Sequence, residues 1–133
     1  LGFSFSPSGA KVVISQTNQD GRSLSTTVED RSGARIMTLL TPTLAEKCVW
    51  SSDEKVVFCA IPQEPPQGTV PDDIFQGRQS GKDNFVAIDL GKKQASIIWE
   101  LPFGVSDIKI NSRGDTFLLT NQVDETLWLL KIK

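Results

Sequence analysis

The 133-residue chain contains no histidine at all. Catalytic triads that need a histidine base, histidine metal ligands and histidine pH switches are excluded together. Charge of one sign is also lacking: 14 Lys+Arg against 16 Asp+Glu leave a net charge of −2, so the basic footprint of a nucleic-acid binder is missing. No long apolar run occurs either. The stretch 36–45 is interrupted by Pro42 and falls well short of the ~20 residues a membrane helix needs. Two cysteines, Cys48 and Cys59, are too few for a disulfide scaffold and wrongly spaced for a zinc site. A Gly-x-Ser-x-Gly elbow and a phosphate-cradling loop are both absent, so no catalytic residue, cofactor site or metal site is expected within the chain. The sequence opens on Leu1 without a basic-then-apolar leader, which reads as a mature form or a piece of something longer, any signal or anchor lying upstream.

What is present is enough apolar material for one packed domain, with 38% hydrophobic and 23% charged residues. Helical periodicity is missing. Short runs rich in Val, Ile, Phe, Leu and Thr recur between clusters of Gly, Asp, Asn and Ser, which is an all-β pattern. Strands are expected over 2–5, 11–16, 23–29, 35–40, 46–50, 55–61, 84–90, 95–101, 106–110, 115–121 and 126–132.

One hairpin is written three times. Phe5-Ser-Pro-Ser-Gly-Ala-Lys-Val-Val-Ile14 aligns with Trp50-Ser-Ser-Asp-Glu-Lys-Val-Val-Phe58 and with Ile110-Asn-Ser-Arg-Gly-Asp-Thr-Phe-Leu-Leu119. Each copy has an apolar residue, a Ser or Asn, a turn and a β-rich strand. Ser6 and Asn111 can accept local backbone hydrogen bonds, and Gly9 and Gly114 tolerate positive φ. The second copy is aligned with a one-residue deletion, which sets Asp53 and Glu54 in the glycine neighbourhood. Third strands follow at 23–29, 84–90 and 126–132, and fourth strands at 35–40 and 95–101 after Gly33 and Gly91. The anchors Phe5, Trp50 and Ile110 stand 45 and 60 residues apart. Four strands per unit at a period of about 40–50 is the mark of propeller blades.

These residues resemble the TolB-like and WD-like β-propeller repeats, whose blade reads as an aromatic, Ser-Pro-Asp-Gly-Lys and a strand, with a later strand ending in an acidic residue, an apolar residue and Gly. Phe5-Ser6-Pro7-Ser8-Gly9-Ala10-Lys11, Trp50-Ser51-Ser52-Asp53 and Ile88-Asp89-Leu90-Gly91 carry the likeness. Ser8 in place of Asp and Ile110 in place of the aromatic limit it to the broad blade class. The resemblance implies an all-β half-propeller of three four-stranded antiparallel sheets, the last lacking its fourth strand. Blade one is expected at about 1–43, blade two at 44–103 and blade three at 104–133. By function it implies a non-catalytic scaffold or binding module, not an enzyme, with a substrate-gating part of a peptidase or other hydrolase, or an open half-propeller with no ligand, as alternatives. A bacterial envelope or other extracytoplasmic location goes with it. The implied partner is a second copy, giving six blades, or upstream blades of a longer polypeptide.

The least repeat-like part is the insertion 62–83 of blade two; 61–77 holds four of the seven prolines. One reading is a ligand or partner loop, with carboxylates at Asp72 and Asp73 and an apolar anchor at Phe75. The other is a structural cover in which Asp72 caps a turn and Phe75 plugs a gap between blades. Phe5, Trp50, Trp99, Ile110 and Trp128 are expected to be structural, the tryptophans packing between blades unless exposed as a binding stripe. Cys48 and Cys59 fall opposite each other if Ser51 pairs with Val56, as a cross-strand bridge or as two small buried hydrophobes. Lys131 and Lys133 read as edge protection.

Overall fold

A computed structural model describes residues 2–17, 24–39, 42–63 and 81–132. Within them eleven strands form three antiparallel sheets, each built in chain order. The first comprises β1 (Gly2–Phe5), β2 (Lys11–Thr17), β3 (Leu24–Asp30) and β4 (Arg35–Thr38). The second comprises β5 (Cys48–Trp50), β6 (Val56–Pro62), β7 (Asp83–Asp89) and β8 (Gln94–Glu100). The third has three strands, β9 (Val105–Ile110), β10 (Thr116–Asn121) and β11 (Leu127–Lys131). This is the all-β, three-bladed half-propeller expected from the repeats. Among the described residues no helix is long and apolar enough to cross a membrane.

The three hairpin turns are built alike. In each, a polar side chain at the first turn position accepts the amide five residues on: Lys11 N–H to Ser6 Oγ, Val56 N–H to Ser51 Oγ and Thr116 N–H to Asn111 Oδ1, all at 3.1 Å. The fourth turn residue is left-handed in every copy, with φ of 78° at Gly9, 61° at Glu54 and 76° at Gly114. Phe5 pairs with Val12, Trp50 with Val57 and Ile110 with Phe117. The copies therefore align without a gap, which corrects the expected deletion: Glu54 occupies the glycine position itself. A contact outside the repeat holds it there. Its carboxylate accepts the Ser8 N–H at 2.7 Å and the Ser8 hydroxyl at 2.8 Å, tying the second turn to the first.

Gly91 lies in the β7–β8 turn as expected, and the positive φ of that turn falls on Lys93, at 54°. One further expectation changes. The strand expected from residue 46 begins only at Cys48, because Ala45–Lys47 form a 3-10 turn. Ala45 and Lys47 of that turn are buried, and both have tertiary partners: the Ala45 N–H donates to Ser15 Oγ of β2 at 3.0 Å, and Lys47 reaches Asp83. Side-chain partners outweigh the local β pattern here.

Blade two is sandwiched. Period-2 alternation along β6 sends Val57, Cys59 and Ile61 to a core shared with Val13 and Val28 of blade one, and Phe58 and Ala60 to a core shared with Ile108, Phe117 and Leu119 of blade three. In the second core Phe58 and Phe85 each meet Phe117 edge to face, at 4.7 and 4.8 Å between centroids, and stack on each other at 6.0 Å. Burying such rings supplies the main attraction between the blades.

Candidate functional site

Asp72, Asp73 and Phe75 lie outside the described residues. Elsewhere, five acidic side chains serve turns. Asp30, Asp53, Glu54, Asp115 and Asp124 are held below the usual carboxylate range, chiefly by hydrogen bonds from Ser32, Ser51, Ser8, Asn111 and Thr126 respectively. Among the described residues no group of three or more metal-ligating side chains converges. Cys48 and Cys59 are cross-strand partners joined by a disulfide, with Cα atoms 4.1 Å apart. The Ser51–Val56 backbone bond sets the ladder phase so that Cys48 and Cys59 form a non-hydrogen-bonded pair, where strands approach most closely. Of the two readings open in the sequence, the bridge is the one the fold adopts.

A cleft of about 520 Å³ opens between blades one and two, where four-residue β4 leaves part of the longer β8 uncovered. Met37, Leu39, Ile61, Val86 and Ile97 give it an apolar lining, and Lys93 stands at it. Asn84 also lines it, with a buried Oδ1 that has no hydrogen-bond partner.

The larger features are the two outer faces of the blade stack. Trp50 is 5% exposed against blade one, whereas Phe5, at the same register position in blade one, is 64% exposed. The matching Ile110 is partly buried against blade two. On the opposite flank, Phe85 pairs with Ala60 and is fully buried, while Leu127, its equivalent beside Thr120, is 65% exposed. Phe3 at 49% and Leu129 at 72% extend these two apolar faces. Phe3 and Phe5 stack on each other at 6.1 Å. The tryptophans divide accordingly. Trp99 and Trp128 sit on outer strands, 40% and 45% exposed, with one ring face against Phe85 and Phe103 respectively. The flank residues Phe3, Leu127 and Leu129 were not singled out in the sequence. The signal that finds them is the gap-free alignment of the hairpins, which shows which positions face the preceding and the following blade.

Neither a family model nor a curated protein sequence matches the chain. Solved structures do. TolB from Acinetobacter baumannii superposes with a TM-score of 0.62 at 14% identity, over 97% of this chain and 28% of its own length. Hydrazine synthase from Kuenenia stuttgartiensis gives a TM-score of 0.56 at 15% identity, over 96% of this chain and 38% of its own. Both are β-propeller proteins, and the chain spans well under half of either. The fold is thus that of a β-propeller, of TolB-like kind, represented here by three blades.

Proposed function

We propose that the chain is a non-catalytic β-propeller module that acts as a scaffold or binding surface and buries its two outer flanks against further blades. One observation carries this reading: register positions that are buried inside the stack, Trp50 and Phe85, are exposed at its ends, as Phe5 and Leu127. Closed propellers typically have four to eight blades, and exposed apolar faces of this kind are disfavoured on a soluble monomer. The Cys48–Cys59 bridge supports work in an oxidising compartment such as the cell envelope.

The test combines solution mass with binding of a dye that reports apolar surface. The chain is expected either to associate or to bind the dye as a monomer, and the Phe3→Ser/Phe5→Ser/Leu127→Ser/Leu129→Ser variant is expected to lose both behaviours while keeping its β-sheet spectrum. A wild-type monomer of 14.6 kDa that binds no dye overturns the reading.

A further inference from the structure

We infer that the partner is a second copy of this chain, the blade-three flank of each copy packing on the blade-one flank of the other around a two-fold axis to close a six-bladed ring. This rests on the reading that the flanks are buried, and adds the occupant and the contact. The argument is continuity with the two interfaces already formed. Passing from blade one to blade two, and from blade two to blade three, the same register positions meet: Ser4 of β1 lies against Trp50, its carbonyl accepting the indole N–H at 2.9 Å, and Val49 of β5 packs in one core with Ile110. The next member of the first series is Lys109 in β9, exposed and one residue before Ile110. The next member of the second is Phe5, which no blade of its own chain covers.

Repeating the step once more places Lys109 of one copy over the Phe5 ring of the other. A cation over an aromatic face is a favourable contact. The rest of the two surfaces is complementary as well. Blade three offers Leu118, Leu127 and Leu129 with Lys131 at the margin; blade one offers Phe3, Phe5, Val12 and Ile14 with Glu29 beside Val12 in the pairing. Apolar area meets apolar area; the blade-three flank carries Lys131 and the exposed Lys109–Asp107 pair, 3.7 Å apart, and the blade-one flank carries Glu29. Three blades from each of two copies make six, within the range of closed rings. A two-fold axis requires that residue 109 of the first copy meet residue 5 of the second and the reverse, so each copy uses both flanks and none is left over.

The experiment is site-directed cross-linking, made clean because Cys48 and Cys59 are already bonded to each other. Lys109→Cys and Phe5→Cys are made as separate variants of the full chain. Under mild oxidation the mixture is expected to give a covalent dimer of twice 14.6 kDa, while either variant alone gives almost none, because the contact joins unlike positions. A Ser96→Cys variant, on the exposed outer strand β8, mixed with Phe5→Cys, is expected not to cross-link. Wild-type chain of dimeric mass with no 5–109 cross-link overturns this inference and leaves the buried-flank reading standing. A dye-binding monomer also overturns it, and then the flanks belong to blades of another polypeptide or of a longer one. A monomer that binds no dye overturns both.

Discussion

The Lys47 ammonium lies 2.6 Å from Asp83 Oδ2, with both side chains buried. Asp83 opens β7 of blade two, and the same oxygen accepts the Val105 N–H of blade three at 2.8 Å. One carboxylate thus joins the 3-10 turn before β5 to the start of β9. Removing one partner of a buried pair leaves an uncompensated charge, so Lys47→Met is expected to destabilise by about 3–5 kcal/mol in denaturant unfolding. Lys47→Met/Asp83→Asn, which removes both charges and keeps an acceptor for Val105, is expected to recover a large part of that loss. Equal loss in the single and double variants would show that the pair contributes through packing alone.

Trp50 and Phe5 share a register position but not an environment. Trp50→Ala empties a site between blades and loses the indole bond to Ser4, and a cost of about 3–5 kcal/mol is expected. Phe5→Ala in monomeric protein is expected to cost well under half as much, since that ring is already largely in water. Urea midpoints measured under dilute conditions check the difference, and similar costs would count against the interface assignment.

Reduction of Cys48–Cys59 is expected to lower stability by up to about 3 kcal/mol, the loop-entropy value for so short a closure. Melting with and without a thiol reductant reads the shift. The β spectrum is expected to persist, because the hairpin keeps its ladder and its turn.

Glu54 links stability to acid pH. Hydrogen bonds from Ser8 hold its carboxyl below the ordinary value of 4.5, so the folded protein favours the charged form. The stabilisation is fully present above that ordinary value and is lost as pH falls through the lowered one. Melting temperatures of wild type and Glu54→Gln are therefore expected to differ at neutral pH and to converge on acidification. A gap that does not narrow as the pH falls would show that the carboxylate charge is irrelevant to the turn contact.

Gly104 is spatially constrained. A Cβ there would lie 2.5 Å from the Gly81 carbonyl oxygen and 3.0 Å from the Gln122 side chain, so Gly104→Ala must displace backbone. A loss of about 1–3 kcal/mol is expected, read by thermal unfolding, whereas Gly81→Ala meets open space and should be near neutral by this criterion.

The repeated hairpin was legible in the sequence because its determinants are local. Ser6, Ser51 and Asn111 accept their own turn amides, and period-2 alternation in 11–14, 56–59 and 116–119 sets which side chains share a face. Strand order, the count of three blades and the opposition of Cys48 to Cys59 follow from those local rules. Tertiary structure decided the rest, and in each case the deciding partner is distant along the chain. Glu54 keeps a glycine's conformation while bound to Ser8, 46 residues away. Ala45–Lys47 leave the β pattern while bonded to Ser15 and Asp83. Phe5 and Trp50 look equivalent as letters, and only the presence or absence of a neighbouring blade makes one a surface and the other a core. Sequence sets what a face can bury; what it does bury depends on which face is brought against it.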